Sequence, residues 1–105
     1  MIYKVTIDRI AKSEIDESFR YILQDSRDRA IDWLTSLIDK IEALSEMPRR
    51  FGFAREDEFE PEELRQFVHF SHRVVYTVLD DTQEVIVLHV RHAARQNFNQ
   101  DALED

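Results

Sequence analysis

Residues 72–95 read HRVVYTVLDDTQEVIVLHVRHAAR. Two runs rich in β-branched and aromatic residues flank DDTQ, the pattern of two strands joined by a turn. The second run is apolar at first and then delivers His89, Arg91, His92 and Arg95 within a few positions. A strand that reads as buried and ends in cationic or near-cationic side chains is unexpected in a chain of formal net charge −8.

Working outward, LRQFVHF at 64–70 has the same composition and predicts a third strand next to the hairpin. Before it, RRFGFAREDEFEPEE holds the sole Gly, the second Pro and a run of acids, and reads as a loop. Further upstream the period changes. Ala30, Leu34, Leu37, Ile41 and Leu44 step by four and three, with Trp33 and Ile38 widening the stripe, which predicts an amphipathic helix stopped by Pro48. Ala11, Ile15, Phe19 and Ile22 predict another, with Asp8 or Ser13 as its cap and Ser26 restarting the pattern. The short link makes the pair an antiparallel hairpin. Tyr3, Val5 and Ile7 alternate and predict a first strand. The predicted fold is α+β: a small antiparallel sheet with an N-terminal strand and a two-helix hairpin packed on one face. The length fits one domain over residues 1–95, followed by a polar tail at 96–105.

Composition narrows the function classes. There is no cysteine, so disulfide and thiolate chemistry are excluded. No leader pattern and no run of about 20 apolar residues is present, so a cytoplasmic protein with no membrane partner is expected. Acids number 22 against 14 Lys and Arg, so the whole molecule repels nucleic acid at long range. The charge is uneven, however. Residues 64–95 hold four arginines, three acids and all four histidines. No H-x-H or H-E-x-x-H spacing suggests a metal, and no Gly-rich phosphate loop or nucleophile motif suggests a cofactor. We expect neither.

Strict alternation assigns side chains to faces. It puts Ile86, Leu88 and Val90 on one side of the last strand and Val85, Val87, His89 and Arg91 on the other. In the preceding strand Val74, Tyr76 and Val78 form the fully apolar set. Arg73, Thr77, His89 and Arg91 are then expected on the helix-free face, with Arg65 and His69 lined up beside them. The alternative is that these are solvated strand residues pairing with the acidic loop.

Three stretches, IEALSEMPRR, HRVVYTVLDD and VLHVRHAAR, in this order and spacing, resemble the RelE/ParE superfamily of toxins from bacterial toxin–antitoxin modules, also called plasmid stabilisation proteins. The resemblance spans about Tyr3 to Arg95 and is closer to ParE-like members. It implies the fold just described and an antitoxin protein as partner. ParE-like members poison DNA gyrase, whereas RelE-like members cut messenger RNA on the ribosome. The resemblance implies a RelE-like site at Arg65, Arg73 and Arg95, but Leu64 and Gln66 fall where lysines are expected, Ala93 where an arginine is expected, and the C-terminal tyrosine has no counterpart. The ParE-like pattern is met through His92 and Arg95. The expectation is therefore a ParE-like toxin without chemistry of its own, with Arg73, Arg91, His92 and Arg95 as its partner-binding surface; the alternatives are a RelE-like ribosome-dependent messenger RNA endonuclease and a non-toxic or degenerate interaction domain of the same fold. Gyrase is the favoured target over ribosome or RNA. The net acidity departs from both groups, whose members are usually basic.

Overall fold

The computed structural model describes residues 2–55, 57–59 and 62–93. Arg95 and the tail expected over 96–105 lie outside them. The elements are β1 (Lys4–Ile7), α1 (Arg9–Asp25), α2 (Arg27–Glu42), β2 (Leu64–His69), β3 (His72–Leu79) and β4 (Glu84–His92), with short 3-10 turns at Ala43–Ser45 and Asp57–Phe59.

One extended residue, Ser26, separates the helices. Its hydroxyl accepts from the Arg29 N–H at 3.2 Å and its own N–H donates to the Ile22 carbonyl, so one residue ends α1 and starts α2. Asp8 holds the cap position of α1 without a side-chain cap bond. The two predicted stripes are the buried faces. Ala11, Ile15, Trp33, Leu37 and Ile41 are buried, and Phe19, Ile22 and Leu34 pack at the margin. Each large side chain taken fully out of water there contributes about 1.5–3 kcal/mol.

The sheet order is β1-β4-β3-β2. β2, β3 and β4 form the expected antiparallel meander. β1 joins it parallel to β4, with Lys4 opposite Glu84 and Ile7 opposite Val87. The sheet is therefore mixed: the helical hairpin carries the chain back so that the first and last strands run the same way. The outer edge of β2 is covered in part by the loop, through Ala54 N–H to Leu64 C=O at 2.8 Å and Gln66 N–H to Gly52 C=O at 3.1 Å.

Strict alternation fails in β4. Val75 pairs with His89, but Tyr76 pairs with Val87, so Leu88 is an extra residue in a β-bulge. Val85, Val87 and Val90 consequently all reach the core under the helices, beside Phe67, Val74, Tyr76 and Val78. The predicted set of Ile86, Leu88 and Val90 on one face does not hold. Leu88 instead packs on the open face against Ala54, Leu64 and Val75. Across the helix face, the buried Tyr76 hydroxyl donates to the Pro48 carbonyl at 2.6 Å, and burial pushes the phenol up to about 12.

Candidate functional site

Arg73 and Arg91 are direct cross-strand partners on the open face, next to Val75 and His89. Two like charges opposite each other in a sheet repel, and taking either out of water adds a cost. Arg73 is only 3% exposed. Its Nη1 donates to Gln66 Oε1 at 3.0 Å from the neighbouring β2. Arg91 is met by α1: its Nε lies 3.4 Å from Glu14 Oε2. Glu14 Oε1 also accepts the Val90 N–H at 2.9 Å and stands 3.3 Å from His89 Nδ1.

The reach of Glu14 follows from strand length. β1 pairs with β4 only as far as Val87, so the edge of β4 beyond it has no strand beside it. Glu14, half-buried on the second turn of α1, supplies the acceptor a longer β1 would have given. Nothing in its spacing marked Glu14 in the sequence. The signal was the inequality between a four-residue first strand and a nine-residue last one.

The other expected residues are dispersed. His69 is on the helix face and fully buried, not with Arg73. Its Nε2 is 3.0 Å from the Trp33 carbonyl and 3.3 Å from Ser36 Oγ, and burial shifts its ring down from the ordinary value. His72 Nε2 lies 3.1 Å from Ser18 Oγ on α1, so the two histidines fasten the β2–β3 turn to both helices. His92 is opposite His72 on that same face, ring centroids 5.6 Å apart, and is exposed. It is thus separated from Arg73 and Arg91 by the thickness of the sheet. Arg65 also leaves the predicted row: it pairs with Glu63, donates to the Phe51 carbonyl at 2.6 Å, and lies over the Phe53 ring at 4.4 Å. The acidic loop reaches Arg65 and Arg49 through Glu63. Arg49 bridges Glu63 and Asp80, and Asp80 also accepts from the Tyr3 hydroxyl at 2.9 Å. Burial pushes the Glu63 carboxyl up, but hydrogen bonds from Arg49 and Arg65 outweigh it and hold it below the usual range. Asp80 is held down by Arg49 and then Tyr3.

A second concavity lies on the helix face. A groove of about 780 Å3 runs between α1, α2 and the β2–β3 turn, lined by Tyr21, Ile22, Trp33, Phe70, His72 and His92 among others. Sequence reading passed over Tyr21 and Phe70, which are 75% and 66% exposed. Among the described residues no group of three or more histidines or carboxylates could hold a metal ion, and no helix is long and apolar enough to cross a membrane.

Residues 5–97 match the family described as the ParE toxin of the type II toxin–antitoxin system parDE. The chain belongs to this ParE toxin family. Its fold recurs in solved structures of low identity. The chromosomal ParDE toxin–antitoxin system from P. aeruginosa contains a chain with TM-score 0.68 and 15% identity, covering 87% of this chain and 96% of that one. The toxin RelE of E. coli, as a mutant in the free state, gives 0.61 at 21% identity over 99% and 97%. A RelBE toxin–antitoxin complex from Mycobacterium tuberculosis gives 0.59 at 19% identity over 88% and 99%. No curated protein matches the sequence significantly. In this ParE-family chain the Arg73–Arg91 pair therefore sits on the helix-free face of a fold that ParE and RelE toxins share.

Proposed function

We propose that this chain is the toxin of a two-protein module, held inactive by an antitoxin, and that it acts in the cytoplasm by occupying a protein target such as DNA gyrase rather than by cutting RNA. Residues 1–95 would act as one unit, with Arg73 and Arg91 at its working face and His92 and Arg95 as further partner-binding residues. One observation carries the choice of binder over nuclease. The two positions where a RelE-like site would place lysines are committed elsewhere: Leu64 is 2% exposed in the open-face cluster, and Gln66 accepts from Arg73. Cleavage by a 2′-hydroxyl needs cations on the developing charge and a group that moves the proton. Apolar and amide side chains at these positions supply neither.

The test sets two purified reactions side by side. The chain is expected to inhibit supercoiling by purified gyrase and to leave ribosome-bound messenger RNA uncut. Cleavage between codon positions that disappears in Arg73→Ala would overturn the reading and establish the ribonuclease.

A further inference from the structure

A further concavity, of about 510 Å3, lies at the β2 edge of the sheet, between the end of α2, the segment that follows it and β2. Its floor is apolar. Leu44 is 1% and Phe67 5% exposed, and the half-buried Phe51 ring stands 5.0 Å from that of Phe67. Its charge is opposite in sign to that of the chain. Lys40 and Arg50 line it and no carboxylate does, in a molecule with 22 acids against 14 Lys and Arg. Both cations are exposed, and neither makes an ion pair among the described residues. Lys40 lies in the last turn of α2, where a cation also favours the carbonyl end of the helix. Arg50 has no such reason to be there: among the described residues its guanidinium makes one long hydrogen bond, 3.5 Å to the Glu46 carbonyl.

The strand edge adds a third feature. The loop bonds to the Leu64 carbonyl and the Gln66 N–H, and goes no further along β2. Residues two apart in a strand turn their backbone groups to the same edge. The Val68 N–H and C=O therefore face outward at the pocket, beyond the last loop bond. Each feature selects part of a ligand. Two cations match a phosphate monoester, which carries about −1.5 to −2 charges at pH 7. An aromatic floor takes a flat ring, and a backbone donor beside an acceptor takes a ring whose edge bears both. A long polyanion is disfavoured by the net charge of −8 around these two cations.

We propose that this pocket binds a nucleoside monophosphate, with the phosphate on Lys40 and Arg50, the base laid on Phe51 and the base edge bonded to the Val68 backbone. No glycine-rich loop takes part; side chains hold the anion, Arg50 through its fork of donors. The volume is in the ordinary range for a small-molecule site. The site does not rest on the reading of the chain as a toxin.

The full chain, labelled for backbone amide resonances, is titrated with AMP and with GMP. Saturable shifts are expected at Phe51, Phe67 and Val68 and none at Tyr21 or His72. Adenosine lacks the phosphate, inorganic phosphate lacks the ring, and phenyl phosphate lacks the hydrogen-bonding edge; each is expected to bind tenfold or more weakly. Arg50→Gln and Lys40→Gln are each expected to weaken nucleotide binding tenfold or more, with melting unchanged because both side chains are exposed. Arg50→Lys keeps the charge, loses the fork and falls between. Lys12→Gln, an exposed change on α1, leaves binding as it was. Absence of saturable shifts with both nucleotides overturns the site, as does affinity that survives both Gln variants. Inorganic phosphate binding as tightly as the nucleotides reduces the pocket to an unselective anion site and overturns the proposal. Phenyl phosphate binding as tightly overturns it in favour of a phosphorylated tyrosine.

Discussion

At the scale of single residues, Glu14 shows how one carboxylate can hold a strand edge, a histidine and an arginine together. Its Oε1 accepts the Val90 N–H at 2.9 Å, and its Oε2 faces Arg91. Glu14→Ala leaves that N–H without its acceptor, which costs about 1–3 kcal/mol for a buried group. For a chain of this size, that lowers the melting midpoint by roughly 4–8 °C per kcal/mol. Glu14→Gln keeps an oxygen for Val90 and loses only the charge, so its midpoint should fall by less than half as much. Equal losses in the two variants would mean that the carboxylate charge facing Arg91, not the backbone acceptor, is what matters. Neither role was legible in the sequence, because Glu14 lies in α1 among ordinary polar residues and its partners are far along the chain.

At the scale of elements, the periodicities carried most of the fold. The stripes through Ala11–Ile22 and Ala30–Leu44 are the buried faces of α1 and α2, and the runs around Phe67, Val75 and Val87 are strands in one sheet. Two things were not legible. The direction of β1 depends on how the chain returns, which local pattern does not encode. The faces of β4 depend on Leu88, where a period of two breaks without a Gly or Pro to announce it. The same error misplaced the lower-numbered candidates: parity was extended across an unknown register, and His69 and Arg65 fell on the wrong side. The bulge can be tested directly. Deleting Leu88 restores uninterrupted pairing with β3 and keeps Val90 opposite Val74 and Arg91 opposite Arg73. The fold should survive, with a loss of about 1–3 kcal/mol from the packing of Leu88 on Ala54, Leu64 and Val75. Loss of the cooperative melt and of the native circular dichroism would show that the bulge is required for the sheet to form.

At the scale of the whole molecule, charge is organised by position. Arg49, between Glu63 and Asp80, ties the segment after α2 to the start of β2 and to the β3–β4 turn, and Tyr3 adds the N-terminal segment through Asp80. The folded chain holds both carboxyls below their ordinary values of 4.5 and 3.8. Their contribution is therefore whole above about pH 4.5 and is lost as the pH falls through the lower folded values. The Arg49–Glu63 pair, partly exposed, is worth about 1 kcal/mol or less at moderate salt. Arg49→Ala should lower the melting midpoint by a few degrees at pH 7, with a difference from wild type that shrinks below pH 4 and in high salt. A difference that is constant across pH would assign the loss to packing of the arginine stem instead.

The pairing of β1 with β4 has a consequence for how the chain comes into being. Lys4 finds its neighbour at Glu84, so the strand synthesised first waits for one synthesised near the end of the described fold. Until then Tyr3, Val5 and Ile7 have no β4 to lie beside, and the helical hairpin has no completed sheet beneath it. Contacts so far apart in sequence form late, after the loop-closure entropy between them has been overcome. A ribosome carrying a partly made chain therefore carries no assembled Arg73–Arg91 face, and, under the role proposed for that face, the nascent polypeptide would be harmless to the cell that makes it until β4 emerges.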